Sequence, residues 1–448
     1  MKVRNLFLFV LISVLLTSCT TEKKAQSPEE WSKNAVIYEV NVRQYTVEGT
    51  FNAFANRLPQ LKELGVDVLW FMPIYPISQE GRKGTLGSYY AVKDYKGINP
   101  EFGKVEDFKA LVKKAHEMGF KVILDWVANH TGRDNVWVKQ HPDWFVKDSV
   151  GHILSPFDWT DVAKLDYKNT AMRAAMQDAM AYWVKEFDVD GFRCDVAGEV
   201  PTDFWNDTRA KLDKIKPVFM LAEADKAELA QKAFHADYNW PLLSTMNDIA
   251  KGKKQATDID KVLAHHDSVY NPISFKMNFV TNHDENSWNG TEYERMGAGA
   301  NAFVVLTYTY PGMPLIYTGQ EIGLKKRLSF FEKDTVANWN NPAVFNFYKK
   351  LNELKHTQPA LVVGKEKGQF IRYATTSPSV YIFERKVKGN AVLTVLNLSS
   401  QNQIVNFTKA KPSGEYTDYF QNMKTDASRL QGATLLPWQY KVYVSAKK

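Results

Sequence analysis

The chain has 448 residues, of which 44% are hydrophobic and 24% are charged. At about 150 residues per domain this length predicts about three structural units, and the composition excludes both a disordered chain and a multi-span membrane protein. Lys and Arg outnumber Asp and Glu by 57 to 50, but no run exceeds two lysines, so the slight excess predicts no nucleic-acid surface. Aromatic residues make up 13%, which suggests a flat ligand that rings could stack against.

The first eighteen residues have the pattern of a targeting segment. Lys2 and Arg4 precede an apolar stretch over 6–16, which is too short to span a bilayer. It ends in LTSC at 16–19, which resembles the bacterial lipoprotein box. The resemblance implies a signal peptide at 1–18, a lipid on Cys19, a polar tether at 19–34, and a protein anchored in the cell envelope, in the periplasm or at the cell surface. An ordinary secretory signal with a chance cysteine is the alternative.

From Ala35 onward, short β-branched or aromatic runs alternate with helical stretches, as in βα units around a parallel sheet. The predicted strands lie at 36–42, 66–71, 122–126, 191–194, 218–222, 236–238, 275–281 and 315–318. Eight strands favour an α/β fold of the (β/α)₈ (TIM) barrel type over 35–360, with a doubly wound sheet as the alternative. Between them, apolar residues at helical spacing predict a helix that ends near Gly119, and Pro59 predicts a break in another.

Two segments depart from this alternation. The interval 131–164 is rich in Trp and Phe but has no regular period, which predicts a small inserted domain after the third strand. Beyond Leu361 the period changes to strict alternation with turn residues between short runs. This pattern predicts a C-terminal antiparallel β-sandwich over 361–448.

Polar side chains stand at the ends of the predicted barrel strands, where active sites of such barrels lie. These residues are Asp125 and His130 after the third strand, Arg193 and Asp195 on the fourth, Glu223 on the fifth, and His283 and Asp284 on the seventh. Singly, each could be a helix cap or a surface charge. Together they suggest glycoside hydrolysis with retention, in which one carboxylate attacks the sugar and another transfers the proton. Arg193 and Asp195 share one strand face, so the arginine is expected to favour ionised Asp195.

Six segments together resemble the α-amylase family, glycoside hydrolase family 13. They are YAVKDY with INPEFG over 90–103, DWVANH at 125–130, GFRCDVA at 191–197, AE at 222–223, FVTNHD at 279–284 and GMPLIYTGQE at 312–321. The resemblance implies that Asp195 is the nucleophile, Glu223 the acid/base and Asp284 the stabiliser of the transition state. It further implies that His130, Arg193 and His283 contact the sugar and that Tyr90 stacks on it.

The resemblance implies no required cofactor. Some members bind calcium, but Glu199 stands where calcium-dependent members often have His, and the insertion is short, so the metal ligands stay unassigned. Trp126, Trp159, Trp240 and Trp288 lie near strand ends or rim loops and are predicted as further stacking surfaces.

The predicted function is hydrolysis of α-glucosidic bonds in starch, glycogen or maltooligosaccharides, by an enzyme attached to the membrane through its lipid. Two alternatives stay open. One is a transglycosylase or isomerase of the same family, and the other is a glucan-binding lipoprotein without catalysis. The choice between α-1,4 and α-1,6 bonds is open as well.

Overall fold

The computed structural model describes residues 26–445, and its centre is a closed barrel of eight parallel strands. Around the barrel the order is β1, β2, β3, β6, β7, β8, β9, β10, with β4 and β5 in an insertion. The barrel strands are β1 Ile37–Val40, β2 Val68–Phe71, β3 Lys121–Val127, β6 Gly191–Asp195, β7 Phe219–Ala222, β8 Ala236–Tyr238, β9 Phe275–Asn278 and β10 Met313–Tyr317. Each of the eight predicted strands is one of these, so the predicted (β/α)₈ fold is confirmed.

The barrel strands are buried on both faces, which explains their nearly continuous apolar runs. The register of neighbouring strands places the candidate site residues at the same height along the barrel axis. Asp125 of β3 pairs with Arg193 of β6, and Cys194 of β6 pairs with Ala222 of β7. Asp195 and Glu223 follow these pairs directly, so both lie at the carboxyl rim.

Helices surround the barrel and link its strands. They are α1 Pro28–Ser32, α2 Val42–Tyr45, α3 Phe51–Ala55, α4 Leu58–Leu64, α5 Val105–Glu117, α6 Val136–Gln140, α7 Thr170–Phe187, α8 Thr202–Asp213, α9 Trp240–Ala250, α10 Ile259–Val269, α11 Glu292–Met296, α12 Ala300–Thr309 and α13 Pro342–Thr357. The predicted break at Pro59 separates α3 from α4, where proline occupies the first turn. The predicted end at Gly119 follows α5, where glycine takes a φ of 83° that a side chain would disfavour.

The insertion after β3 is a small unit held by its own antiparallel pair. Strands β4 His130–Gly132 and β5 Val162–Lys164 pair with each other, and α6 lies between them. Arg133 ties the unit together by donating hydrogen bonds to the carbonyls of Ile153 and Thr160. The first residue of β4 is His130, so the insertion starts within the carboxyl rim of the barrel.

The C-terminal unit consists of two antiparallel layers of unequal size. One is a six-stranded sheet in the order β11, β12, β13, β18, β15, β16, and the other is the pair β14 and β17. Their bounds are β11 Gln369–Tyr373, β12 Val380–Val387, β13 Asn390–Asn397, β14 Gln403–Ile404, β15 Glu415–Asp418, β16 Met423–Asp426, β17 Thr434–Leu435 and β18 Tyr440–Ser445. Alternation along β12 sends Ile382 into a separate apolar core, while Phe383 joins the core of the barrel.

The described residues begin inside the segment predicted as a tether. Ser27 caps α1, whose Trp31 packs on Phe219 at 5.2 Å between ring centroids. Glu29 accepts a hydrogen bond from His235 at the start of β8. The signal peptide and Cys19 lie outside the described residues. Among residues 26–445, none of the helices has the length and apolar character needed to cross a membrane.

Candidate active site

Arg193 is the centre of the site and is fully buried inside the barrel. Its Nη1 donates hydrogen bonds to Asp125 Oδ1 at 2.8 Å and Asp195 Oδ1 at 3.2 Å. Its Nη2 lies 2.9 Å from Glu223 Oε2, an ion pair without the alignment of a hydrogen bond. One guanidinium therefore holds three carboxylates that the sequence places on three different strand ends.

Asp125 fixes this guanidinium from behind and is itself fully buried. Its Oδ2 accepts hydrogen bonds from Trp70 Nε1 at 3.1 Å and from the Tyr90 hydroxyl at 3.0 Å. The Tyr238 hydroxyl accepts a further hydrogen bond from Arg193 Nε at 3.0 Å. Because every group in this shell is held by another, Arg193 has one orientation in which to present Asp195 and Glu223.

The electrostatics of Asp195 combine opposing effects. Burial and the neighbouring charge of Glu223 raise the pKa of the Asp195 carboxyl well above its usual range. Arg193 acts in the expected direction and lowers the pKa, but burial and the charge of Glu223 outweigh it. Sequence spacing identified the arginine but could not reveal the depth of burial or the nearness of a second carboxylate.

Val196 connects the two acids through its backbone. Its N–H donates a hydrogen bond to Glu223 Oε2 at 2.8 Å, and its φ of 35° is left-handed. A β-branched residue rarely adopts this conformation, which costs about 1–3 kcal/mol and tends to occur at functional sites. The strained turn after Asp195 thus holds one oxygen of Glu223, and Oε1 accepts no hydrogen bond from the described chain.

His283 links Asp284 to the first strand. Its Nδ1 donates to Glu39 Oε1, while its Nε2 lies 2.8 Å from the Tyr90 hydroxyl and 3.2 Å from Asp284 Oδ2. Burial acts to lower the pKa of His283, but the carboxylates of Asp284 and Glu39 outweigh it and raise the pKa to about 9. His283 is therefore a cation at neutral pH, and it faces Asp284, whose side chain is 34% exposed.

His130 lies at the rim, but its side chain forms no hydrogen bond or ion pair with the three acids in the described structure. Burial lowers the pKa of His130 to about 3, so the ring is neutral and free to accept or donate one hydrogen bond. Its neighbours are the Asn129 amide at 3.3 Å and the edge of Trp159 at 5.4 Å between centroids. Of the predicted sugar contacts, the structure groups Arg193, Tyr90 and His283 with the acids and sets His130 apart.

Aromatic rings lie along the rim in two groups. Tyr90 stacks on His283 at 5.3 Å and on Phe330 at 6.1 Å, and Phe330 continues to the exposed Trp288 at 5.1 Å. On the insertion, the exposed Phe157 packs on Trp159 at 4.8 Å. Both groups extend from an acid or histidine of the site to solvent.

Two of the four tryptophans predicted as stacking surfaces, Trp126 and Trp240, pack against other aromatic residues of the barrel. Trp126 is fully buried, and its prediction as a stacking surface is wrong. Alternation on β3 turns Asp125 into the barrel and therefore Trp126 outward, where it contacts Tyr75 and Phe192. Trp240 is half-buried against Tyr238 and Phe279.

The sequence reasoning missed Glu39, Trp70, Tyr238 and Phe330 as members of the site. Of these four, Glu39 has the strongest sequence signal, because it is an acidic residue inside a four-residue strand that is otherwise apolar. A charge in a strand buried on both faces needs a partner, and this alone could have marked it. Phe330 has no such signal, since it lies in an irregular segment that only the fold brings to Tyr90.

The described residues contain no group of three or more His, Cys, Asp or Glu side chains placed to hold a metal ion. Asn129, which the family resemblance connects with calcium, uses its amide to reach His130. Glu199 is exposed on a short 3₁₀ turn.

A carboxylate cluster around a buried arginine, at the carboxyl rim of a (β/α)₈ barrel, defines a glycoside hydrolase site. The family model for the α-amylase catalytic domain matches residues 26–149 and 140–340. The chain belongs to the α-amylase family and is an enzyme of the glycoside hydrolase class.

Known relatives agree in sequence and in fold. Alpha-amylase 3 of Dictyoglomus thermophilum is 27% identical and covers 94% of this chain and 95% of its own. The cyclomaltodextrinase of Thermoanaerobacter pseudethanolicus is also 27% identical, over 86% of this chain and 73% of its own. Among solved structures, an α-amylase from Lactobacillus plantarum has a TM-score of 0.83 at 32% identity and covers 93% of this chain and 100% of its own. The noncanonic maltogenic α-amylase AmyB from Thermotoga neapolitana has the same TM-score and identity, over 92% of this chain and 98% of its own.

The contact between Glu39 and His283 predicts a measurable titration. Because the His283 pKa is raised from about 6.5 to about 9, its ionic contacts stabilise the fold fully below pH ~6.5, and this stabilisation is lost as the pH rises through about 9. In Glu39→Gln one of the two carboxylates is gone, so the midpoint of His283 should fall by at least about one pH unit. NMR titration of histidine-labelled protein measures it, with His283→Gln to assign the signal. An unchanged midpoint in Glu39→Gln would contradict the assigned cause.

Proposed function

We propose that the protein is a retaining α-glucan hydrolase that cleaves α-glucosidic bonds of starch, glycogen or maltooligosaccharides by double displacement. The observation that carries this proposal is the arrangement of Asp195 and Glu223 on the two terminal nitrogens of Arg193. Both carboxylates are mostly enclosed, with side chains 10% and 12% exposed, yet each still meets the rim. In a retaining enzyme such a pair flanks the scissile bond, with the nucleophile on one side and the proton donor on the other.

The charge balance of this cluster supports the two roles. Three carboxylates surround one guanidinium, and double displacement requires a different role of each working acid. Glu223 acts as the proton donor through Oε1, the oxygen that Val196 leaves free, and Asp195 acts as the ionised nucleophile. Asp195 then attacks the anomeric carbon while Glu223 gives its proton to the departing oxygen, and in the second step Glu223 takes a proton from the water that releases the sugar.

Asp284 and His283 have supporting roles in this scheme. A positive charge develops on the sugar ring in the transition state, and Asp284 is the more exposed of the three rim carboxylates. We assign it to the sugar hydroxyls and to stabilisation of that charge, with cationic His283 fixing its position. Tyr90 presents an aromatic surface beside them, and its hydroxyl is held by Asp125 and His283.

Transfer to a sugar instead of water is the second candidate. Relatives of this chain include a cyclomaltodextrin glucanotransferase from Bacillus licheniformis, at 26% identity over 88% of this chain. Ala224, which follows the acid/base, is small and half-buried, so it leaves room for an acceptor. Chromatography of products from maltoheptaose, pullulan and a cyclodextrin separates the two activities, because products longer than the substrate arise only by transfer.

We further propose that the precursor is processed to a lipoprotein at Cys19 and held in the cell envelope. The support is the leader pattern with its LTSC end at 16–19. The first helix begins at Pro28, so a mature N-terminus at Cys19 would lie only a few residues before it in sequence.

Removing either acid should abolish turnover without unfolding the protein. In Asp195→Asn and Glu223→Gln the shape is kept, but the nucleophile or the proton donor is lost, and kcat on maltoheptaose should fall by at least about 10³-fold. Glu199→Gln, an exposed acid of the same rim segment, is the matched control and should keep wild-type rates. In the wild type, NMR of early products should show the α-anomer. Turnover at the wild-type rate in either variant, or an early β-anomer, contradicts the mechanism.

Phe157 should contribute to binding of long substrates. It is 63% exposed and has a left-handed φ of 51°, and its ring leads through Trp159 to His130. Phe157→Ala should raise KM for maltoheptaose about 2- to 10-fold and leave maltotriose unchanged, since ring stacking contributes about 0.5–1.5 kcal/mol.

The strain at Phe157 gives this prediction a second readout. Phe157→Gly should raise KM as alanine does but increase the free energy of unfolding by about 1 kcal/mol, because glycine adopts this φ without cost. Val150→Ala, another exposed apolar residue of the insertion, is the control. A wild-type KM for maltoheptaose in both Phe157 variants would argue against a stacking role.

The lipoprotein proposal is tested on the full precursor in a bacterial host. The wild type should sediment with membranes and dissolve in detergent, whereas Cys19→Ala should lose the mature lipidated N-terminus. Ser18→Ala keeps the cysteine and is the control. Mass spectrometry of the N-terminal peptide decides the matter, and an unmodified Cys19 in the mature wild type would refute the proposal.

A further inference from the structure

A cavity of about 260 Å³ lies on the flank of the barrel, where the C-terminal sheet packs against it. The barrel contributes His266 and Tyr270 from the end of α10 and Lys276 from β9. The C-terminal side contributes Phe370 and Arg385. Its volume is several times the ~30 Å³ that one water molecule occupies in the liquid.

The cavity is separate from the carboxylate cluster of the active site. Tyr238 of β8 points into the barrel, where it contacts Arg193, so its neighbour Asp237 points outward. Lys276 pairs with Asp237 across β8 and β9 and lies on the same outer face. The layer of strands therefore stands between the two sites.

Arg385 is a buried cation without a counterion. Its side chain extends from the barrel-facing side of β12, the side that also carries Phe383, and it is 1% exposed. Its one hydrogen bond runs from Nη2 to the Val362 carbonyl at 3.3 Å, and its Nε and Nη1 have no partner in residues 26–445. Burial lowers the pKa of Arg385 to about 10. A buried charge without a partner is costly, so natural proteins almost always pair it.

The other cations around the cavity are balanced by acids. Lys276 lies 2.7 Å from Asp225 and 2.9 Å from Asp237. Lys367 lies 3.9 Å from Asp267. The acids near the cavity are thus paired with lysines, and none of them forms an ion pair with Arg385 among the described residues.

Lys355 is a second buried basic side chain near Arg385. Lys355 donates hydrogen bonds to the carbonyls of Gly312 and Leu361 and has no carboxylate partner in the described chain. Burial and the nearby charge of Arg385 lower its pKa. His266 contributes a buried Nε2 that also lacks a partner. The Nε and Nη1 donors of Arg385 therefore lack an acceptor within residues 26–445.

We propose that the cavity between the barrel and the C-terminal sheet is a binding site for a small oxyanion, with Arg385 as its principal ligand. Phosphate is the chemistry that suits it, because a guanidinium binds phosphate oxygens in pairs. The volume and the aromatic walls of Tyr270 and Phe370 leave room for a sugar ring on the phosphate. Free phosphate and a phosphorylated hexose are the two sources, and the site does not depend on the proposed hydrolase activity.

The test compares thermal unfolding and calorimetric binding of full-length mature protein with inorganic phosphate, glucose 6-phosphate and glucose, in sodium chloride of matched ionic strength. Phosphate and glucose 6-phosphate should each raise Tm by about 2 °C or more at saturation, and glucose should not. An equal response to both indicates free phosphate as the ligand. A response to glucose 6-phosphate alone indicates the phosphorylated sugar. No response to either overturns the proposal.

Two arginine variants assign the response to the cavity. Arg385→Met removes the unpaired charge, so its Tm without anion should not fall below the wild-type value and its response should be lost. Arg372→Met is the matched control, because Arg372 lies on the neighbouring strand β11 but is paired with Asp260 at 3.2 Å. It should lose stability and keep the response. A wild-type response in Arg385→Met overturns the proposal.

A crystal grown with phosphate decides the question independently if Arg385→Met does not fold. Anion density within hydrogen-bond distance of Arg385 supports the site. Water alone at that position, or phosphate bound only elsewhere, overturns it.

Discussion

The ion contacts of Arg193 are the constraint on which the site depends. A guanidinium fully enclosed by the barrel must have its charge compensated, and Asp125, Asp195 and Glu223 do so from three strands. The same contacts that make burial of the arginine tolerable also set the two working acids at one place. The burial of Arg193 and the placement of the two working acids therefore rest on the same contacts.

From this centre a continuous set of hydrogen bonds reaches the far side of the barrel. Asp125 holds Tyr90, Tyr90 meets His283, and His283 meets Glu39 on β1. The carboxylates of Asp284 and Glu39 flank His283, which is why it stays protonated in a buried position. The path also explains why Tyr90, on a long loop after β2, has a fixed ring orientation at the rim.

Arg193 and Arg385 are both buried arginines, but they differ in how far carboxylates compensate their charge. Both guanidinium groups are buried, but Arg193 has three carboxylate partners, whereas within residues 26–445 Arg385 donates to the Val362 carbonyl and has no carboxylate partner. Arg372, one strand away from Arg385, is paired with an acid across the junction. The proposed anion would compensate the one charge of these three that the described residues leave unpaired.

The sequence by itself determined the eight strands, their order and the identity of the rim acids. It could do so because strands buried on both faces must be apolar, and because each βα unit returns the next strand end to the same rim. Tertiary structure alone decided the state of those acids. The raised pKa of Asp195 depends on its burial and on the nearby charge of Glu223, and the outward turn of Trp126 depends on the register of β3. The site contacts of Glu39 and Phe330, and the lining of the cavity at Arg385, join residues that are up to hundreds of positions apart in the sequence. Tertiary packing decides which of these residues meet, and local sequence patterns do not encode it.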